Sequence, residues 1–227
     1  LLEEMSGGLI VSCQPVVGGP MDRPDIVAAF GLAALEGGAS ALRIEGSRNV
    51  KEVRSRTKSP IIGLIKRDLK DSPVRITPLL SDVSELVHAG ADIIAFDATD
   101  RLRPNTTHSM IEAIHAANVL AMADCSSRDE GVRAIELGAD LIGTTLSGYT
   151  RDQEPEEPDL DLVSSLAGHS PRIVAEGRYR TTEQAADAMR RGAFAVVVGS
   201  AITRTEHITQ WFSRAVSDGR HRERSES

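Results

Sequence analysis

The chain has 227 residues, a formal net charge of −7 and 3 % aromatic residues. The acidic balance argues against nucleic acid or an anionic membrane as a general partner, and so few aromatic rings leave little for base-stacking platforms or lectin-type sugar clefts. No apolar run approaches the roughly 18 residues of a membrane span, and Leu1-Leu-Glu-Glu-Met-Ser-Gly-Gly8 lacks the basic segment and apolar region of a secretory signal. A soluble, cytoplasmic protein is expected. Cys13 and Cys125 lie in separate apolar runs and fit a reducing compartment.

In chain order, the first buried run is Leu9-Ile-Val-Ser-Cys13, followed by a helical pattern over 24–37. Then comes Gly38-Ala-Ser-Ala-Leu-Arg-Ile44, the first of four copies of one pattern. The others are Gly90-Ala-Asp-Ile-Ile-Ala-Phe96, Gly138-Ala-Asp-Leu-Ile-Gly-Thr144 and Gly192-Ala-Phe-Ala-Val-Val-Val198. In each, glycine closes a helix at a left-handed cap and a buried strand starts within a few residues. Between the copies fall Ile61-Ile-Gly-Leu-Ile65, Val119-Leu-Ala-Met-Ala123 and Arg172-Ile-Val-Ala175. Further helices are predicted over 48–57, 80–89, 107–117, 128–137, 159–167, 182–191 and 205–216. Eight strands, apolar on both faces and alternating with helices, predict a single (β/α)8 TIM barrel over 1–216. Residues 217–227 hold almost nothing apolar to bury and are expected to be a polar, disordered tail. Two loops exceed what a plain barrel needs, Arg67 to Pro78 and Thr145 to Pro158; the first reads as a lid or wall, and Glu154 to Pro158 of the second as an acidic connector.

In this architecture the strand ends face the mouth, where active sites are built. Those ends are Gln14, Arg43 with Glu45, Lys66, Asp97, Asp124, Thr144, Glu176 and Gly199-Ser200. Lys66 follows an apolar strand directly, so desolvation is expected to lower its pKa towards neutrality. Backbone amides beside Gly177, Gly199 and Ser200 can approach an anion closely, because glycine has no Cβ in the way. A phosphate site at the ends of strands 7 and 8 is expected there, with Arg43, Arg178 and Arg204 as cationic contacts. The six histidines lie in helices, loops or the tail, and no metal-binding motif occurs, so no metal is expected.

Eight segments together resemble the N-acetylmannosamine-6-phosphate 2-epimerase family: Gly7 to Gln14, Ala41 to Ile44, Ile62 to Lys66, Phe96 to Thr99, Ala123 to Ser126, Gly143 to Thr150, Ala175 to Arg178 and Val198 to Thr203. The likeness covers residues 7–216. It implies a cofactor-free TIM barrel that interconverts N-acetylmannosamine 6-phosphate and N-acetylglucosamine 6-phosphate in sialic acid and aminosugar catabolism, and it is compatible with a homodimer. By position it implies Lys66 and Glu176 as the catalytic pair, with Gln14, Arg43 and Asp124 on the sugar and its N-acetyl group; Thr144, from its place at a strand end, is expected to be a further substrate-binding residue. Gly177, Arg178, Gly199, Ser200 and Arg204 would take the phosphate. The chain departs from the pattern at Tyr179-Arg180 and at Thr205, both beside that phosphate loop.

The chemistry expected is ring opening to a C1 aldehyde, removal of the C2 proton and its return on the other face. Neutral Lys66 and Glu176 would move the protons, with Arg43 or Gln14 on the C1 oxyanion. The alternatives are a pentose-phosphate 3-epimerase, an isomerase acting on a ribosyl phosphate, or a non-catalytic sugar-phosphate sensor.

Overall fold

The computed structural model describes residues 1–150 and 155–225. Its eight strands, all parallel, close into a barrel in sequence order: β1 (Leu9–Cys13), β2 (Ala41–Glu45), β3 (Ile61–Leu64), β4 (Ile93–Asp97), β5 (Leu120–Asp124), β6 (Leu141–Gly143), β7 (Ile173–Glu176) and β8 (Ala195–Val198). The helices are α1 (Leu2–Met5), α2 (Pro24–Glu36), α3 (Ser47–Arg54), α4 (Leu80–Ala89), α5 (Thr107–Ala116), α6 (Arg128–Glu136), α7 (Leu160–Ala167), α8 (Thr182–Arg190), α9 (Ser200–Thr203) and α10 (Thr205–Ser225). The predicted barrel is therefore the observed one.

Local chemistry sets the helix ends. Thr106, Ser127, Asp159 and Thr181 cap α5, α6, α7 and α8 by accepting from an amide three residues on. At Ser127 and Thr181 the side chains of Glu130 and Gln184 reach back to complete capping boxes. The repeat glycines Gly38, Gly90, Gly138 and Gly192 all have φ between 93° and 101°, the left-handed turn that lets each helix pass into its strand.

Two segments differ from expectation. Helix α1 was not legible: its single turn has no apolar period, yet Met5 is fully buried and closes the base of the barrel interior beside Ile10 and Ala195. Residues 217–225, expected to be disordered, continue α10 to Ser225, whereas 226 and 227 lie outside the described residues. Extending an existing helix fixes one residue per hydrogen bond gained, so a polar segment can follow a docked first turn without a core of its own. No helix among the described residues is long and apolar enough to cross a membrane.

Alternation along each strand divides the side chains. Ile61, Ile94, Ile142 and Val196 face the helices, while Ile62, Leu64, Ile93, Met122 and Val197 fill the barrel interior. The barrel is looser at two seams. β4 pairs with β5 over five residues, but β6 pairs with β7 only at Ile142 and Gly143, and β3 with β4 only at Ile62 and Gly63. The loop after β3 fills the resulting gap as a hairpin with antiparallel bridges Lys66↔Ile76 and Leu69↔Ser72. The Thr77 amide donates to the Ile65 carbonyl at 2.6 Å, and the Asp97 amide to the Ile76 carbonyl at 3.0 Å. Thr77 Oγ1 accepts from the Ile65 amide at 3.2 Å and donates to the Ala95 carbonyl at 2.6 Å.

Thr77 is 1 % exposed, so its hydroxyl's two partners have no water to turn to. Thr77→Val keeps the shape, removes both bonds and should cost roughly 2–4 kcal/mol. Urea unfolding should show a lower midpoint at unchanged slope; an unchanged midpoint would show that the wedge does not hold the seam.

Candidate active site

A cavity of about 400 Å³ opens at the C-terminal ends of the strands. Of the residues expected at the site, Gln14, Arg43, Lys66, Glu176, Gly177, Arg178, Gly199, Ser200 and Arg204 line it. Two do not. Asp124 is completely buried beneath the cavity, against Arg43. Thr144 points outward, and its hydroxyl stitches the β6 end to β7 by donating to the Glu176 carbonyl and accepting from the Glu176 amide, each at 3.0 Å. Its neighbour Thr145 faces the mouth instead. Leu141 points inward and Ile142 outward, so period two carries Thr145, not Thr144, to the inside.

The floor of the cavity is a network around Arg43, which is 1 % exposed. Its Nη2 donates to Asp124 Oδ2 at 2.6 Å and its Nη1 to Asp124 Oδ1 at 3.4 Å. Its Nε lies 3.3 Å from Glu176 Oε1 but makes no hydrogen bond. Thr145 Oγ1 sits 2.6 Å from Asp124 Oδ1 and 3.2 Å from Glu176 Oε2. A Cβ on Gly143 would come within 2.7 Å of Asp124 Oδ1 and 2.8 Å of Thr145 Oγ1, so only glycine leaves room for that contact.

Burial pushes the Glu176 carboxyl up to about 7 against the pull of Arg43, and the negative Asp124 adds to the rise. Lys66 opens to solvent on its outer side, yet protein around the amine and then the cations Arg43 and Arg204 hold its pKa below the ordinary lysine value, opposed by Glu45 and Glu176. Glu45 also accepts the Lys66 backbone amide at 3.3 Å. Strands β3 and β7, which bring in Lys66 and Glu176, lie opposite each other in the closed barrel.

On the β7–β8 side, Gly177 has φ +114° and Gly199 caps α9. The amides of Gly177, Gly199 and Ser200 donate to no protein acceptor among the described residues. Arg204 Nε is held by the Gln14 carbonyl at 2.8 Å. Arg178 is committed elsewhere: Nε donates to the Glu157 carbonyl at 2.8 Å, Nη1 to the Ser147 carbonyl at 2.6 Å, and the guanidinium lies 5.1 Å from the Tyr149 ring. It ties the loop after β6 to the loop after β7. Residues 151–154 of the former, including Glu154, lie outside the described residues. The departures at Tyr179 and Arg180 are absorbed locally. Tyr179 is buried in the outer core, and Arg180 stacks over Trp211 of α10 at 5.1 Å.

Sequence reasoning missed Ser12, Arg75, Arg101, Thr145 and Tyr149 on the cavity wall. Ser12 receives the Gln14 side-chain amide at 2.8 Å, and Arg101 caps the buried Asp97 at 2.6 Å. The signal for Arg75 was a cation in the long loop after β3; for Ser12 it was the only hydroxyl in an apolar strand. Cys13 and Cys125 are buried, free and pushed up by desolvation, which leaves them inert. No group of three or more potential metal ligands occurs among the described residues.

The raised Glu176 carboxyl has a consequence for stability. Its folded pKa near 7 exceeds the ordinary 4.5, so the folded state binds the proton more tightly and loses stability as pH rises through that window. Glu176→Gln should therefore match the parent below pH about 4.5 and be more stable by roughly 1–3 kcal/mol above pH about 7. Melting temperatures across that range check it, and a variant equally or less stable at alkaline pH contradicts the raised carboxyl.

A family model described as "Putative N-acetylmannosamine-6-phosphate epimerase" matches residues 27–218. The chain is 56 % identical over 218 residues to a protein of Glaesserella parasuis serovar 5, covering 96 % of this chain and 94 % of that one. It is 58 % identical over 211 residues to one of Shigella dysenteriae serotype 1, covering 93 % and 92 %. Both relatives are named "Putative N-acetylmannosamine-6-phosphate 2-epimerase". The solved N-acetylmannosamine-6-phosphate 2-epimerase of Clostridium perfringens superposes with TM-score 0.91 at 40 % identity, over 94 % of this chain and 95 % of that one. With the same barrel and relatives matched along nearly their whole length, this chain belongs to the N-acetylmannosamine-6-phosphate 2-epimerase family.

Proposed function

We propose that the chain is the isomerase its family name describes, interconverting N-acetylmannosamine 6-phosphate and N-acetylglucosamine 6-phosphate in sialic acid and aminosugar catabolism. One observation carries the reading: an amine held below its usual pKa and a carboxyl held above its own face one cavity from opposite strands. Such a pair suits removing a proton from one face of a carbon and returning one to the other.

In the closed hemiacetal the C2 proton is barely acidic. Ring opening places an aldehyde at C1, and loss of the C2 proton then gives an enolate whose charge sits on the C1 oxygen. Neutral Lys66 takes and returns protons at C2. Glu176, protonated near neutral pH, supplies the opposing proton or assists ring opening. Gln14, on the cavity wall beside Ser12, is the amide we assign to the C1 oxygen. Arg43 works through its charge from beneath, since its best hydrogen bonds go to Asp124. The phosphate takes the unpaired amides of Gly177, Gly199 and Ser200 together with Arg204. Arg178 serves this site by shaping its loops.

The proposal extends to a catalytic domain over 1–216, a cytoplasmic location, no nucleic-acid partner and a homodimer. Phe212 and Val216, exposed on α10, are apolar side chains that a self-association surface would cover. The test is proton NMR of N-acetylmannosamine 6-phosphate with the protein in D2O, without added metal. Deuterium should enter C2 as the gluco epimer appears. Lys66→Ala and Glu176→Ala should each lose roughly 10²–10⁴-fold in turnover with unchanged circular dichroism; substantial activity in both would sink the assignment.

A further inference from the structure

Thr145 stands between a fully buried carboxyl group, Asp124, and a partly buried one, Glu176, with a single hydroxyl proton to give. Its Oγ1 is 2.6 Å from Asp124 Oδ1 and 3.2 Å from Glu176 Oε2. A hydroxyl donates one hydrogen bond and accepts through its lone pairs, so it can donate to only one of the two. The shorter contact, to a fully buried carboxylate, takes the proton. What Thr145 then presents to Glu176 is a lone pair. An ionised Oε2 facing that lone pair would be repelled, whereas a protonated Oε2 donates into it.

Arg43 makes the same choice. Its guanidinium donates to both oxygens of Asp124, while its Nε reaches Glu176 Oε1 at 3.3 Å without a hydrogen bond. One arginine therefore serves one carboxylate, and the geometry gives it to Asp124. Gly143 supplies an independent mark, because any Cβ there would collide with both Asp124 Oδ1 and Thr145 Oγ1. The same Cβ would also meet Met122 Cε at 2.7 Å, so the glycine leaves room for the Met122 side chain as well as for the Asp124–Thr145 contact. The charged groups bearing on Glu176 are Arg43 from β2, Lys66 beyond β3 and Asp124 from β5. Asp97 with Arg101 and the cations Arg178 and Arg204 stand further round the same mouth.

We propose that Thr145 is a positioning residue that holds Glu176 in its protonated form, donating its own proton to Asp124 Oδ1 and accepting the Glu176 proton at Oγ1. The role rests on the proposed epimerase chemistry only in making Glu176 the group that moves a proton. The hydrogen-bond direction follows from the two distances, 2.6 Å against 3.2 Å, and a Thr145 hydroxyl turned to donate to Glu176 would lower that carboxyl's pKa instead of raising it. The chain Asp124⁻···H–O(Thr145)···H–O(Glu176) keeps an acid ready at neutral pH. When Glu176 gives its proton away, two carboxylates face one hydroxyl, a state that favours taking a proton back.

The experiment is a titration of the Glu176 side chain by ¹³C NMR in the full-length protein labelled at glutamate carboxyl carbons, with Glu176→Gln to assign the signal. In the parent protein Glu176 should titrate well above the ordinary glutamate range. Thr145→Val removes the acceptor and should lower the midpoint by about one pH unit, a tenfold change in the protonation constant, while Thr145→Ser should restore it. A midpoint that rises in Thr145→Val would mean that Thr145 donates to an ionised Glu176, and an unchanged midpoint that the contact is idle; either overturns the proposal, as does a parent midpoint in the ordinary range. Turnover of N-acetylmannosamine 6-phosphate is read on the same samples. A titration that behaves as expected in a protein without turnover would sink the epimerase reading and leave the assignment of Thr145 standing.

Discussion

One buried guanidinium gives its hydrogen bonds to only one of the two carboxyl groups beside it, and the site is organised by that choice. Arg43 is enclosed by the barrel and gives its hydrogen bonds to Asp124, which lies completely out of solvent. An ionised Asp124 without Arg43 would carry an uncompensated buried charge, the costliest kind of defect in a protein interior. Glu176, one strand pair further round, receives only a poorly aligned contact at 3.3 Å and the negative field of Asp124. Burial first, and then the field of Asp124, outweigh the pull of Arg43 and leave its pKa raised. The positive field of the same arginine also reaches Lys66 and helps to hold it below the ordinary lysine range. The same cation therefore pulls both groups down: at Glu176 it opposes burial and Asp124, and at Lys66 it adds to burial.

That arrangement needs a barrel whose mouth is stiff at the right places. β3 and β4 separate above Gly63, and Lys66 sits just beyond the separation. Left open, the gap would expose strand edges and let the lysine wander. The hairpin that ends in Ile76 and Thr77 replaces the missing ladder with its own hydrogen bonds and closes against β4 at Asp97. The same hairpin brings Pro73 and Arg75 to the cavity wall, so the element that repairs the seam also shapes the site. Across the mouth, Arg178 does comparable work, tying its own loop to the loop after β6 by donating to two carbonyls of the latter.

Much of this was legible because barrel geometry turns sequence parity into direction. Four Gly-Ala copies marked helix ends and strand starts, and the last polar residue of each apolar run pointed to the mouth at Arg43, Lys66, Asp97 and Glu176. The reading failed where parity had least support. β6 is only three residues long and ends in glycine, which has no side chain to reveal its face, so the inward hydroxyl was assigned to Thr144 instead of Thr145. It also placed Asp124 on the sugar, because sequence gives the direction of a side chain but not what already fills the space above it. Arg178 read as a free cation since nothing in the sequence reveals that carbonyls 21 and 31 residues upstream meet its guanidinium. Helix α1 was too short for a period, and the polar extension of α10 has helix-forming residues but no apolar period in its sequence, which composition alone reads as disorder.

The electrostatics of the mouth are incomplete without the charge of the substrate. Lys66 is held low partly by Arg204, and Arg204 is one of the groups assigned to the phosphate. A phosphate at Gly177, Gly199 and Ser200 would offset that cation, weaken its repulsion of the lysine and draw the amine's pKa up from its value in the empty cavity. The floor below behaves differently: Arg43 is already committed to Asp124, beneath the cavity, so its field at Glu176 and Lys66 persists when ligand enters. The site thus combines a fixed contribution, set by a buried ion pair, with a variable one that the ligand itself cancels. An anionic sugar binding here would draw the amine back towards the ordinary lysine range, making it a stronger base while leaving less of it unprotonated. Binding and proton transfer therefore pull on Lys66 in opposite senses.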